Sequence, residues 1–216
     1  MDAAPPIEAA AEPPLPLLHG LATATAANDG DGGTTVFLSR PSQAQKNDLL
    51  VLVVDQSDAV YDLSVFTPGT QVTPHCPNVN TDALRLSWRV DDETPTYTLR
   101  SANPGTATAV LLAFGHASAI ESTLLTNQEA TGSGRASGIL VTEPKALVLV
   151  AFGSHPNINR WQSSDAGNSG LTNVVGGEGA IQLFDGIFEA GLTPDFGPFT
   201  AIGPCWGTIT ALIPGK

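Results

Sequence analysis

Three runs of this chain are essentially apolar on both of the faces a β-strand would present: Leu49–Val54, Ala107–Phe114 and Ala146–Phe152. Successive side chains of a strand point to opposite sides of its sheet, so a strand with one buried face alternates apolar and polar residues. Runs that do not alternate need cover on both sides, and a two-layer sandwich supplies only one. The second cover is expected from a long loop, from the N-terminal segment or from another subunit. Oligomerisation is the simplest of these, because strands of this kind left open would aggregate.

All three of these runs take part in an internal echo. Asp48-Leu-Leu-Val-Leu-Val-Val-Asp55 is repeated about 97 residues later as Lys145-Ala-Leu-Val-Leu-Val-Ala-Phe152. Leu84-Arg-Leu-Ser-Trp88 returns as Ile181-Gln-Leu-Phe184, and Thr106-Ala-Thr-Ala-Val-Leu-Leu112 as Thr208-Ile-Thr-Ala-Leu212. Before and between them lie further short runs with strand character: Thr34–Ser39, Val60–Phe66, Thr96–Arg100, Ile139–Val141 and Leu171–Val175. Leu84–Val90 alternates, with Leu84, Leu86, Trp88 and Val90 on one side. No helical stripe is sustained over twelve residues; Ile120–Gln128 predicts two turns of helix at most. The fold class expected is all-β, an antiparallel β-sandwich or jelly-roll-like body with pseudo-repeated halves.

The first 33 residues differ in composition, with prolines at 5, 6, 13, 14 and 16. That content favours polyproline-type extension and cannot build a sheet interior. The segment reads as an extended docking arm over 1–33, with Leu15, Leu17, Leu18 and Leu21 as its apolar anchors. Asn28-Asp-Gly-Asp-Gly-Gly33 reads as a hinge, since a calcium loop would need a closing glutamate where Ser39 stands. The sandwich body follows over 34–216, with halves at 34–138 and 139–216 suggested by the echo.

Composition excludes several classes of function. Net charge is −12, and the nine Lys and Arg residues form no cluster, so neither nucleic acid nor an anionic membrane surface is an expected partner. No apolar stretch approaches the ~18 residues of a membrane span. The first twenty residues lack the basic start and continuous apolar stretch of a secretory signal. Cys76 and Cys205 read as buried thiols in a chain large enough to fold without a staple.

Reactive groups do not converge in the sequence. His75-Cys76 is the one adjacent pair of metal-binding types, and the other histidines are scattered, so no metal or other cofactor is expected. Gly132-Ser-Gly-Arg-Ala-Ser-Gly138 lacks the spacing of a nucleophile elbow and reads as a flexible loop. Asp91, Asp92 and Glu93 are consecutive at a turn, whereas glycosidase carboxyls face each other across a cleft. No catalytic residue is assigned and no enzyme is expected. One loop has the groups to contact a glycan: Asn157, Asn159, Arg160, Trp161 and Asp165 combine a ring for stacking with planar hydrogen-bonding partners, although burial of Trp161 or its packing against a subunit is the more ordinary use of such a ring.

The strand series Asn47–Val54, the Thr73-Pro74 turn, Leu84–Val90, Thr94–Leu99 and Ala107–Phe114 resembles, in order and spacing, a β-sandwich module of tailed-bacteriophage virion proteins. The resemblance is especially to minor tail proteins of phages of actinobacteria. The resemblance implies a non-enzymatic virion component, a minor tail or tail-tip protein assembled in the host cytoplasm. It implies a homo-oligomer such as a trimer, docked to neighbouring virion proteins. The alternatives in the same setting are a capsid decoration or head-fibre protein and an adhesin module for a host cell-surface glycan.

Overall fold

The computed structural model describes residues 12–28, 32–57, 60–72, 83–128, 132–155, 170–175, 181–201 and 205–216. Every regular element among them is a β-strand, and every pairing is antiparallel. The first group is β1 (Leu17–Thr25), β2 (Ala27–Asn28), β3 (Thr34–Ser39), β4 (Leu49–Ser57), β5 (Thr67–Val72), β6 (Ala83–Val90), β7 (Thr96–Ser101) and β8 (Thr106–Gly115). The second is β9 (Ser122–Gln128), β10 (Gly132–Ala136), β11 (Leu140–His155), β12 (Thr172–Val175), β13 (Ile181–Leu192), β14 (Phe196–Ala201) and β15 (Cys205–Pro214).

The two groups are wired identically. The first has a large sheet in the order β1-β8-β4-β6-β5 and a small one, β2-β3-β7; the second has β9-β15-β11-β13-β12 and β10-β14. Apart from the two-residue β2, first pairs with last, second with penultimate and third with antepenultimate in each group. That nested wrapping is a jelly roll. Strand pairing divides the repeats between Gly115 and Ser122, so β9 and β10 belong with the second half. A boundary at 138/139 would cut that half's sheets.

Each jelly roll has its own interior. Leu50, Leu52, Val54, Leu111 and Ala113 of the first large sheet close on Val36, Leu38, Tyr97 and Leu99 of the small one. In the second, Val148, Val150, Phe152 and Phe184 close on Ala136 and Phe196. The opposite faces of the two large sheets form a third core, containing Leu49, Val51, Val53, Leu84, Leu86, Val110, Leu112 and Phe114 of the first half with Leu147, Leu149, Ala151, Ile181, Leu183, Ile209, Ala211 and Ile213 of the second. The molecule is therefore four sheets deep, with the large sheets in the middle.

Register makes the two faces of this middle core equivalent. Leu49, Val51 and Val53 lie opposite Phe114, Leu112 and Val110; Leu147, Leu149 and Ala151 lie opposite Ile213, Ala211 and Ile209. The repeats thus meet like-to-like, as the subunits of a two-fold dimer do. This supplies the second cover that the doubly apolar runs require. The cover is the chain's other half, so burying these faces takes no second subunit.

Several elements differ from the sequence reading. Leu17–Thr25, read as part of an extended arm, forms β1 along β8, with Ala22, Ala24 and Ala26 against the first interior. Val60–Phe66, expected as a strand, is irregular and turns Tyr61, Leu63 and Phe66 into that interior. The expected helical turns after Ile120 are β9, paired with β15. Gly132–Ala136, expected as a flexible loop, is β10: Gly134 lets the Trp206 ring pack where a Cβ would be only 2.5 Å from ring carbon Cζ2. Ala146–Phe152 and all but Ile139 of the run Ile139–Val141 are one strand, β11, whose pairing slips between Val141 and Lys145, around Pro144. Proline cannot donate to the ladder and is accommodated at such an irregularity.

Candidate functional site

The apolar anchors proposed for the N-terminal segment lie on and beside an edge strand. Leu18 is half-buried against the middle core, whereas Leu15, Leu17 and Leu21 are 39%, 57% and 40% exposed. β1 is the end strand of its sheet, paired on one side with β8. An end strand has one side unpaired within its own sheet, and on this strand Pro41 and Gln43 lie against Gly20.

Polar groups fix this edge. The register of β1 slips between Leu18 and Gly20, and His19 sits at the slip. Its Nδ1 lies 2.8 Å from Asp48 Oδ2, which also accepts the Gln45 backbone N–H at 2.7 Å. The imidazole lies over Gly115, where any Cβ would overlap it. The C-terminus reaches the same end of the molecule: the Lys216 backbone N–H donates to the His116 carbonyl at 2.9 Å, and its Nζ to the Asn47 carbonyl at 3.2 Å. Pro14 lies against Gly215, so described residues from both ends of the chain sit side by side.

The acidic turn is a structural lock. Asp91, whose side chain is fully buried, accepts Arg40 Nε at 2.8 Å and Nη2 at 2.5 Å from one guanidinium, and also the Glu93 backbone N–H. Asp92 accepts the Thr94 hydroxyl at 2.7 Å and the Thr94 backbone N–H, which together hold it below the usual carboxylate range; it also pairs with Arg89. Glu93 has φ of 68°, the left-handed conformation that the sharp turn imposes. The Asp91 and Asp92 carboxylates thus serve the connection between β6 and β7, while the exposed Glu93 carboxylate lies 3.4 Å from Lys46 Nζ.

Burial governs two other titrating groups. Tyr97 is raised above the ordinary phenol value, and Asp185 on β13 above the ordinary carboxylate value, in each case chiefly by desolvation. Among the described residues no group of three or more His, Cys, Asp or Glu is placed to hold a metal ion. Asn157, Asn159, Arg160, Trp161 and Asp165, the candidate glycan contacts, lie outside the described residues, as does Cys76.

The pairs His19–Asp48 and Arg40–Asp91 join residues 29 and 51 positions apart, and no local motif announces either. In comparisons with known proteins, no family model, curated protein or solved structure matches the chain.

Proposed function

We propose that this chain is a non-enzymatic structural protein of a tailed-phage virion, a minor tail or tail-tip component that docks onto neighbouring virion proteins through its N-terminal edge. One observation carries the reading. The strand series that resembles phage minor tail proteins folds as β4, β6, β7 and β8, which build most of the first jelly roll.

The architecture suits a building block. Its large apolar faces are closed against each other within one chain, leaving the perimeter for contacts outward. Leu15, Leu17 and Leu21 offer exposed apolar area beside the unpaired side of β1, where a neighbour could add a strand and bury those leucines together. Neighbouring virion proteins, or further copies of the chain in a ring such as a trimer, would meet this edge. Many copies in one particle would make weak individual contacts sufficient by avidity.

The test is a phage carrying Leu15→Ser, Leu17→Ser and Leu21→Ser together. Because these side chains are substantially exposed, the purified variant should keep the wild-type circular dichroism and melt. Particles should assemble without it. Normal incorporation of the triple variant would refute docking through this edge, and labelling on the head would replace the tail assignment with capsid decoration.

A further inference from the structure

The two jelly rolls are equivalent in strand order but not in how they fill their interiors. By pairing, Ser87 on β6 lies opposite Leu52, as Phe184 on β13 lies opposite Val150; likewise Arg85 opposes Val54, as Gln182 opposes Phe152. In the second half Phe152 and Phe184 are fully buried and meet edge to face at 5.7 Å. The first half has Val54 and Ser87 in those places. Two large rings are thus replaced by small side chains, Tyr61 and Phe66 of the segment 60–66 enter the first interior, and a pocket of about 370 Å³ lies between that segment and β6, with Ser87 in its lining.

The chemistry of its lining is mixed. The half-buried Arg85 guanidinium donates from Nη1 to the Tyr61 carbonyl at 2.9 Å, which fixes it in place while leaving most of its five N–H donors. Asp62 lies near enough to act on that charge, and its Oδ1 accepts the Ser64 backbone N–H at 2.8 Å. The Ser87 hydroxyl adds a group able to donate or accept, while Leu63 and Phe66 supply an apolar wall. The volume lies at the lower end of the ~300–1,000 Å³ of small-molecule sites.

We propose that this pocket is a binding site for a neutral polyhydroxylated ligand of about one sugar ring. Fixed donors on Arg85, acceptors on Asp62 and a two-way hydroxyl on Ser87 match a polyol, whose every hydroxyl both donates and accepts. The apolar wall takes the C–H face of the ring. A free anion is disfavoured, because Asp62 offsets the guanidinium and the chain carries a net charge of −12. The site is built from other residues than the candidate glycan contacts around Trp161 and does not depend on the proposed virion role.

The experiment is ¹⁵N–¹H correlation and saturation-transfer NMR on the full chain. The probes are the methyl glycosides of glucose, galactose, mannose and N-acetylglucosamine, with sodium acetate as the anionic comparison. At least one glycoside should bind, with millimolar affinity, and shift backbone resonances confined to 60–66 and 84–88. Ser87→Phe, which copies the second half, and Arg85→Gln should each weaken binding at least tenfold. Should a variant fail to fold, the wild-type shift map decides alone. No binding by any glycoside, binding of acetate only, shifts confined to other parts of the chain, or undiminished binding by both folded variants would overturn the proposal.

Discussion

Leu84 of the first jelly roll lies directly against the backbone of Gly153 in the second: a Cβ at Gly153 would stand 2.9 Å from Leu84 Cδ1 and 3.1 Å from its Cβ. Gly153 is also the residue opposite Ile181 in its own sheet, so a side chain here would push the two large sheets apart. Gly153→Ala should cost ~1–3 kcal/mol through overpacking, and Leu84→Ala ~2–5 kcal/mol through the cavity it leaves. The double variant should lose less than the sum, by about 1 kcal/mol, because the new methyl enters the space that leucine vacated. Denaturant unfolding of the four proteins reads this coupling, and strict additivity would mean that the contact is absent.

His19→Ala should loosen β1 without unfolding the body. Losing the bond to Asp48 costs ~0.5–1.5 kcal/mol, and it also leaves the buried Asp48 carboxylate with one fewer partner. Amide exchange should accelerate along Leu17–Thr25 and stay unchanged in β11 and β15. Uniform acceleration would show that β1 does not open on its own.

Arg40→Ala removes the cation from a carboxylate that has no solvent exposure. An uncompensated buried charge typically costs ~3–5 kcal/mol, so the thermal midpoint should fall steeply. Adding Asp91→Asn should recover part of the loss. Failure to recover would mean that Arg40 acts through packing.

Asp185 supplies a pH test. Burial raises its pKa in the folded state, so between the unfolded value and that raised value the native chain binds more protons. Stability contributed by this group is present at low pH and declines as pH rises through the window. Asp185→Asn should therefore stabilise the protein at pH 7, by less than ~1 kcal/mol since the group is partly solvated. The advantage should vanish in acid, below the ordinary carboxylate pKa. An equal gain at all pH values would point to a cause other than charge burial.

Strand content was legible because the chain states it plainly: apolar runs, β-branched residues and punctuating glycines and prolines. Register was not. The echo sets Leu50 against Leu147 and Val51 against Val148, but pairing makes Leu49 the counterpart of Leu147 and Val51 that of Leu149. A slip of one residue exchanges the faces of a strand, and a run apolar at every position carries no mark to prevent the slip. The alternating Leu84–Val90 has such a mark, and there the echo is in step: Leu84 and Leu86 correspond to Ile181 and Leu183, all in the middle core.

Doubly apolar strands state that two covers are needed and leave the supplier open. Leu147 could bury Leu49 within one chain or between two copies with identical local sequence. The edge strands were harder still, since Leu17–Thr25, Gly132–Ala136 and Phe196–Ala201 are rich in Gly, Ala and Pro, and take strand form from the neighbours they pair with. The pocket by Arg85 was hidden for a related reason. Its lining includes Ser87 where the second half has Phe184, and that comparison exists only once the two sheets are aligned.

The proposal of a virion component is tested most directly by quantitative mass spectrometry of gradient-purified phage particles from a lysate in which the chain is expressed. A structural component should be present at a fixed copy number per particle, unchanged by washing in high salt. Abundance in the lysate with none in the particles would contradict it.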